Sequence, residues 1–290
     1  MDMTQNKCCR HGASLRRRRR RRRKILRSII FSCSIIAVAV FVAVGSRMIT
    51  SGDGRKNRYD VEAGNNTYDN AVIENSKISE KNKIQNNQSM LDDIMNSTQY
   101  PKEALEFVYD YPAEHVKEHT IDLTEEVSMD SVPLFVQWDK RWGYEKYSGN
   151  FFAASGCGPT TLSMVVVYLT HDREASPIAV AKYSKEAGYS VDGSGSSWTL
   201  ISEGCRHYGV KAKAVALDES RMKAELDEGH PIVVNVGPGD FTDTGHFMVI
   251  TGYDDEGFSI NDPNSIEKSG KRWLFKNISS QIRAVWSMYV

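Results

Sequence analysis

The sequence lacks the features by which many chains can be classified at once. It has no net charge, because 37 Lys and Arg residues balance 37 Asp and Glu residues. It has no internal repeat, which excludes a repeat array. It also lacks an evident metal site: His115 and His119 are spaced i, i+4, but no third ligand accompanies them, so we expect a solvated helix face rather than bound zinc.

The absence of net charge conceals two oppositely charged parts. Residues 1–27 hold twelve Lys and Arg residues against one acidic residue, Asp2, which leaves 25 basic and 36 acidic residues in the rest of the chain. A basic head on an acidic body indicates that the two parts lie in different compartments.

An apolar stretch after the basic head explains this separation. Residues 28–46, SIIFSCSIIAVAVFVAVGS, contain no charge. As a helix they would rise about 28 Å, close to the ~30 Å hydrocarbon core of a bilayer, and the preceding arginines would stay on the cytoplasmic side. We predict a cytoplasmic tail over 1–27, a single transmembrane helix over 28–46 in the cell membrane, and an extracellular remainder.

Other interpretations of this region stay open. A cleaved signal peptide is the main one, because small residues at 43–46 could form a cleavage site, although the apolar region is long for that role. A buried core helix fits poorly beside eight arginines. Contact of these arginines with anionic lipid is simpler than nucleic-acid binding, so no nucleic-acid partner is expected. An inverted anchor would leave the main domain in the cytoplasm.

The composition changes twice after the predicted span. Residues 47–97 are polar with few large apolar side chains, which predicts a disordered stalk. Apolar residues then return at helical spacing, which predicts a helical extension over 98–131, with one helix ending at Pro112 and a second over 113–119. Residues 132–290 form the main domain, which is long enough for one sizeable core.

Predicted helices dominate the first half of the main domain, and predicted strands the second. The helices cover 158–169, Ser176 to Gly188, Ser197 to Gly209, and Asp218 to Gly229. The strands are VKAKAVAL, PIVVNV, the hairpin HFMVITGYDDEGFSIND and AVWSMYV. This order favours an α+β fold over an alternating α/β fold.

A single cysteine opens the most apolar of these helices, in FFAASGCGPTTLSMVVVYL. The amide groups and dipole at a helix N-terminus stabilise a thiolate, so we expect Cys157 to have a lowered pKa. The flanking glycines would leave its sulfur open to a substrate. A thiolate nucleophile needs a nearby histidine and a third group that orients the histidine.

His246 and Asp262 are the candidates for these two positions. His246 opens the first strand of the hairpin, although an ordinary strand-end histidine is the alternative reading. If a three-residue loop over 255–257 closes the hairpin, with Gly257 left-handed, the two side chains share one face of the sheet. Simple pairing still leaves a gap along the strand, which twist and the departure of the chain at Pro263 would have to close.

Three further side chains bear on this chemistry. Thiol attack on a carbonyl builds an oxyanion, which the amide of Gln137 and the backbone N–H of Cys157 could bind. Cys205 could form a disulfide with Cys157, but a buried, inert thiol is favoured. Trp198 either lines the substrate cleft or belongs to the core.

Four short motifs, in order, resemble the C39-like cysteine peptidases of the papain superfamily, relatives of the bacteriocin-leader-processing peptidases: VPLFVQWDKRWG, GCGPTTLSM, GHFMVITGYD and NDP. The resemblance covers residues 101–290. It implies a papain-like fold, with a central helix on an antiparallel sheet, and it implies Cys157 as nucleophile, His246 as base, Asp262 as orienting group and Gln137 as oxyanion donor. The leader-processing enzymes are fused to a transporter and face the cytoplasm, so their double-glycine substrate does not carry over.

The function implied by the resemblance is that of a membrane-anchored extracellular cysteine peptidase, which hydrolyses peptide or amide bonds through a Cys-His-Asp triad. Its partner would be a peptide or protein substrate, and it would need neither metal nor organic cofactor. Two alternatives stay open: a cell-wall peptide amidase on the same fold, and a non-catalytic surface-binding module on a papain-like scaffold.

Overall fold

The structure is a computed structural model that describes residues 65–96 and 100–290. The predicted basic tail and transmembrane helix, over 1–27 and 28–46, lie outside the described residues and stay predictions. Of the helices in the described part of the chain, none combines the length and the hydrophobicity that a bilayer span requires. Residues 72–290 form one compact unit.

The described part of the chain contains both helices and strands. The α-helices are α1 (Asn65–Asn96), α2 (Leu105–Glu114), α3 (Phe152–Ser155), α4 (Cys157–Thr170), α5 (Pro177–Glu186), α6 (Thr199–Ser202), α7 (Glu219–Asp227), α8 (Ile266–Ser269) and α9 (Phe275–Ile278). The strands are β1 (Lys146–Tyr147), β2 (Asn150–Phe151), β3 (Ser190–Val191), β4 (Gly195–Ser196), β5 (Lys211–Ala214), β6 (Ile232–Val236), β7 (His246–Asp254), β8 (Gly257–Asn261), β9 (Arg272–Trp273) and β10 (Ile282–Tyr289). Short 3-10 helices cover Lys102–Ala104, Glu126–Ser128, Gly204–Tyr208 and Ser279–Gln281.

A six-stranded antiparallel sheet organises the second half of the chain, in the order β5-β10-β6-β7-β8-β9. All five residues of β6 are buried, because its alternate side chains enter different hydrophobic clusters on the two faces. Val233 belongs to the cluster that contains α4, and Ile232 and Val234 belong to the cluster that contains α7. The predicted α+β class with an antiparallel sheet is confirmed.

Helix α4 lies against the sheet as the sequence predicts. Its residues from Gly158 to Val167 are all buried, as expected for a helix that is apolar on nearly every face. The hydroxyl of Thr161 donates a hydrogen bond to the backbone carbonyl of Phe247 at 3.1 Å. This contact ties the first turn of α4 to the start of β7.

The capping residues that the sequence predicts are found at two helices. Ser176 Oγ accepts a hydrogen bond from the N–H of Ala179 at 3.3 Å, and Asp218 Oδ1 accepts one from the N–H of Arg221 at 3.0 Å. Each cap satisfies a backbone donor that has no partner within the first turn. The starts of α5 and α7 therefore follow from local sequence.

The helix predicted over 197–209 is interrupted. α6 ends at Ser202, and the following residues form the 3-10 helix Gly204–Tyr208. Glu203 leaves helical geometry with φ −128°, and Gly204 packs so closely on Tyr189 that a Cβ would lie 3.0 Å from its ring. The tertiary contact thus overrides the local helical pattern.

The segment ahead of the main domain differs from the prediction in two ways. α1 runs through residues 65–96, where a disordered stalk was predicted, and its end buries Leu91 and Ile94 with Phe107 of α2 and Phe151 of β2. A second helix over 113–119 is absent, because α2 continues through Pro112 to Glu114 and ends there. Proline removes only its own backbone donor, so later residues can still bond to the preceding turn, as the N–H of His115 does to the carbonyl of Tyr111 at 3.1 Å.

This segment also contacts the chain beyond β8. The carboxylate of Glu103 accepts hydrogen bonds from Ser265 Oγ at 2.8 Å and from the N–H of Glu267 at 3.2 Å. Phe107 stacks on Tyr144 with ring centroids 4.2 Å apart. The end of α1, α2 and the main domain therefore share a continuous packed surface.

Candidate active site

Cys157 is the first residue of α4 and is partly exposed. The glycines beside it are required by packing as well as by access. A Cβ on Gly156 would lie 2.6 Å from the carbonyl oxygen of Phe152, and one on Gly158 would lie 2.6 Å from Ser196 Oγ. At both glycines, neighbouring atoms therefore lie too close to the backbone to leave room for a side chain.

The thiol of Cys157 lies close enough to the imidazole of His246 for the two groups to interact electrostatically. Burial favours the neutral thiol, but the interaction with His246 outweighs it, and the pKa of Cys157 is lowered. Hydrogen bonds from the backbone amides of Phe247 and Gly158 act in the same direction. The lowered pKa that the sequence predicts therefore has a second source besides the helix N-terminus.

Asp262 contacts the other side of the imidazole. His246 Nε2 lies 2.6 Å from Asp262 Oδ1, and Asp262 is completely buried. Burial opposes the charged imidazole, but the charge and hydrogen bond of Asp262 raise the pKa of His246 to about 10. Because Nε2 faces the carboxylate, Nδ1 is the ring nitrogen that remains for Cys157.

The carboxylate of Asp262 is itself held in place by the chain that follows it. Its Oδ1 also accepts a hydrogen bond from the N–H of Asn264 at 2.8 Å, and its backbone N–H donates to Ser269 Oγ at 2.9 Å. The carbonyl of Asn264 accepts from Trp138 Nε1 at 3.0 Å. These contacts fix the orientation of the acid at the end of the sheet.

The hairpin brings His246 and Asp262 together by a route that differs from the prediction. A two-residue turn closes it, with Asp254 opposite Gly257, so the predicted three-residue loop is wrong. The register then shifts between Ile250 and Gly252, where β7 contains one extra residue. This β-bulge restores the pairing in which even-numbered residues face each other, as in Ile250 opposite Ile260.

The remaining gap along the strand is closed where the chain leaves the ladder. The last pair of the ladder is Val249 opposite Asn261, and Asp262 instead forms an isolated bridge with Ser265. His246 and Asp262 therefore meet diagonally at the open end of the sheet, within reach of their side chains.

Gln137 contacts the chain on both sides of the site but, in the described part of the structure, forms no hydrogen bond with the thiol or the imidazole. Its Nε2 donates to the carbonyl of Ala153 at 2.6 Å, and its backbone N–H donates to the carbonyl of Pro263 at 2.7 Å. Its Oε1 is buried without a partner among the described residues. Gln137 thus links the chain just before Cys157 to the chain just after Asp262.

Asn235 is a site residue that sequence reasoning missed. Its Nδ2 donates to the backbone carbonyl of His246 at 3.2 Å, and its side chain lines the cleft beside Cys157. The sequence does contain a signal for this residue, because Asn235 is the one polar residue in the buried strand PIVVNV. Buried polar side chains need hydrogen-bond partners and often mark a site.

A cleft of about 810 Å³ opens beside Cys157. Trp198 lines it and is 47% exposed, so of the two alternatives for this residue the cleft wall is confirmed. Cys205 is fully buried, forms no disulfide, and burial raises its pKa, as expected for an inert thiol.

Within the described residues, no group of three or more potential metal ligands is found. His115 and His119, the i, i+4 pair, each contact a residue nearby in the chain. His115 contacts the carbonyl of Tyr111, and His119 Nε2 lies 3.5 Å from the carboxylate of Glu114.

Comparison with known proteins identifies a family for this chain. Residues 129–290, more than half of the chain, match the model of the Peptidase_C39 like family. The chain belongs to this family. The match begins at residue 129, near the end of the predicted helical extension, so residues 101–128, which the resemblance had included, lie outside it.

Two solved structures are similar to this chain. One is the peptidase domain of Streptococcus ComA, described as a bi-functional ABC transporter involved in a quorum sensing pathway, with 19% identity, a TM-score of 0.38, and coverage of 47% of this chain and 90% of that domain. The other is a C39-like peptidase from Bacillus anthracis, with 18% identity, a TM-score of 0.35, and coverage of 55% and 95%. No sequence among curated proteins matches the chain.

Proposed function

We propose that this member of the C39-like family is a cysteine peptidase that hydrolyses peptide or amide bonds through Cys157, His246 and Asp262. The observation that carries the proposal is the arrangement of the three groups, in which Cys157 interacts with the imidazole of His246 and His246 Nε2 lies 2.6 Å from Asp262 Oδ1. A lowered pKa at the cysteine beside a raised pKa at the histidine is the pattern of a thiolate–imidazolium pair.

In the proposed reaction, the thiolate of Cys157 attacks the carbonyl carbon of the substrate. The C–N bond breaks as the imidazolium of His246 gives its proton to the leaving amine, which leaves a thioester on Cys157. Water then attacks the thioester while the now neutral imidazole accepts its proton, and the carboxylic acid product and the thiolate–imidazolium pair are formed. Asp262 stabilises the charged imidazole and keeps its ring oriented.

The oxyanion of this reaction needs hydrogen-bond donors. The backbone N–H of Cys157, at the start of α4, is one donor by its position. We assign the second to Gln137, because its Nε2 carries two N–H bonds and the contact with Ala153 uses only one.

The proposed location is the outer face of a membrane. Support comes from the sequence, in which the basic residues 1–27 precede the uncharged residues 28–46. A membrane-impermeant thiol reagent added to whole cells would label Cys157 only after lysis if the domain faces the cytoplasm, and before lysis if it faces outward.

The activity is tested by labelling the full chain in detergent with iodoacetamide at pH 6 and mapping the modified cysteines by mass spectrometry. Cys157 is expected to react and Cys205 to remain unmodified. In parallel, peptide libraries and isolated cell wall are incubated with the protein and with Cys157→Ala, which separates a peptidase from a cell-wall amidase. An unreactive Cys157, with no cleavage of either material, would leave the binding-module alternative.

A further inference from the structure

The cleft beside Cys157 is uncharged except at one position. Its lining consists of small and neutral side chains, the indole of Trp198 and the guanidinium of Arg283: Ser148, Asn150, Ala154, Ser155, Cys157, Gly193, Ser194, Gly195, Ser196, Trp198, Asn235, Val236, Gly237, Pro238, Thr244, Gly245, Phe247 and Arg283. Arg283 therefore supplies the only formal charge of this wall apart from the Cys157–His246 pair itself.

A β-bulge turns Arg283 toward the cleft. The register of β10 shifts between Ile282, which lies opposite Val236, and Ala284, which lies opposite Asn235. Arg283 is the extra residue and has no partner across the ladder. Bulges redirect a side chain away from the ordinary alternation of a strand, and they are frequent beside active sites.

A glycine makes room for the guanidinium. A Cβ on Gly237 would lie 2.5 Å from Arg283 Nε and 3.0 Å from Nη2. Any side chain at this position would therefore displace the arginine. The position of the guanidinium in the cleft wall therefore depends on glycine at residue 237.

Within the described part of the chain, no acidic side chain pairs with the charge of Arg283. Arg283 is exposed and, among the described residues, forms no ion pair. Asp240, on the loop that continues the cleft wall, is held instead by Gln281, whose Nε2 donates to its carboxylate at 2.6 Å. An unpaired arginine in a neutral cleft is available to an anionic group of a ligand, and its planar fork matches a carboxylate.

The sheet sets the distance between this charge and the reacting atoms. Val236 lies opposite His246 on one side and opposite Ile282 on the other. Two strand spacings therefore separate the backbones at His246 and at the bulge, which is about 10 Å, or about three residues of an extended peptide.

We propose that Arg283 selects substrates with a carboxylate two or three residues from the scissile bond, with Trp198 as an apolar wall for the residues between. This inference rests on the proposed function, since it names the substrate class of the same site. The carboxylate can be an acidic side chain or a chain terminus, because both present the same two oxygens.

The test measures covalent labelling of Cys157 in the full chain by paired electrophilic peptides. Peptidyl chloromethyl ketones extend to one side of the scissile position and iodoacetyl peptides to the other. Each is made with Glu or Gln at the second or third residue from the electrophile. We expect one Glu probe to label about three- to tenfold faster than its Gln twin, and the ratio to fall in high salt.

Three variants assign the preference. Arg283→Gln should bring the Glu/Gln ratio to about one, and Gly237→Ala should lower it by displacing the guanidinium. Arg221→Gln, which removes an exposed arginine of α7 outside the cleft lining, should leave the ratio unchanged.

The outcomes separate this inference from the proposed function. Equal rates for every Glu/Gln pair, or a preference that survives Arg283→Gln, would overturn the role of Arg283 while Cys157 remains a reactive thiol. Failure of Cys157 to react even with iodoacetamide would contradict the proposed function, and the inference with it.

Discussion

Cys157 and Cys205 contact the same hydrophobic cluster, yet the pKa of one thiol is lowered and that of the other is raised. Burial favours the neutral form of both sulfurs. Cys205 lies in a 3-10 helix, where the charge of Arg206 and two backbone hydrogen bonds do not offset burial. Cys157 has the imidazole of His246 and amide donors of its own helix and of β7.

The difference shows that a shared core does not set the chemistry of a thiol. Cys157 is the partly exposed member of the pair, but exposure alone would give it an ordinary pKa. The lowered pKa comes from a hydrogen-bonded cation, and that cation persists because Asp262 is buried against it. Substitutions at and around the two cysteines test this difference.

The largest expected effect is that of His246→Ala. Without the imidazole, the pKa of Cys157 should rise to the ordinary thiol range or above, so the thiolate fraction at pH 6 falls. The rate of iodoacetamide labelling at pH 6 should drop by about 10²-fold. Labelling of Cys205 provides the control: an increase there would mean that the variant has unfolded, and an unchanged rate at Cys157 would contradict the ion pair.

A smaller effect is expected from Asp262→Asn, which keeps the shape and removes the charge. Because Asp262 raises the pKa of His246 to about 10, the imidazolium is retained below that pH and lost above it. In the variant the imidazolium should be lost at a pH nearer the ordinary value of about 6.5. At pH 7 Cys157 should then keep less thiolate, and its labelling should fall about tenfold. An unchanged labelling rate at pH 7 would show that Asp262 does not set the charge of the ring.

The smallest effects concern stability, and here substitution of Cys205 should matter more than substitution of Cys157. Cys205→Ala removes a fully buried side chain from the core and should lower the free energy of unfolding by about 1–2 kcal/mol. Cys157→Ala, at the edge of the same cluster, should change it by less than about 0.5 kcal/mol. Thermal unfolding of the full chain measures both. Equal losses would mean that Cys157 is as much a core residue as Cys205.

Local sequence accounted for the features that are locally determined. The start of α4 at Cys157, the caps at Ser176 and Asp218, and the buried strand β6 each follow from a few neighbouring residues. The α+β order followed from the same patterns. These are positions at which propensity and burial favour the same structure.

The approach of His246 to Asp262 could be predicted only in part. Their shared face was expected, but it depends on a bulge at Thr251 that compensates for a shorter turn. The isolated Gly252 within the strand is the local signal of such a bulge, but it does not fix the register. Gly257 was expected to be left-handed and has φ 135°, where a Cβ would lie 2.6 Å from the carbonyl oxygen of Trp273. The glycine is therefore required by β9, a strand that sequence reasoning did not find.

The helix α1 was missed for a different reason. Most of α1 is polar, and two of its apolar residues, Leu91 and Ile94, are buried against a surface provided by α2 and β2. The average composition of such a segment is polar even when a few of its apolar residues are buried, so composition alone predicts disorder. The side chain of Gln137 likewise depends on partners at Ala153 and Pro263 that are distant in sequence.

The packing of α1 and α2 has a consequence for truncating the protein. A fragment that started at Met129, where the family match begins, would leave Phe151 and Ala153 without the cover of Leu91, Ile94 and Phe107. Those uncovered residues immediately precede the thiol, so such a fragment would lose order at the point where the nucleophile begins its helix. We therefore expect the smallest fragment that folds intact to extend upstream of the family boundary and to include the end of α1.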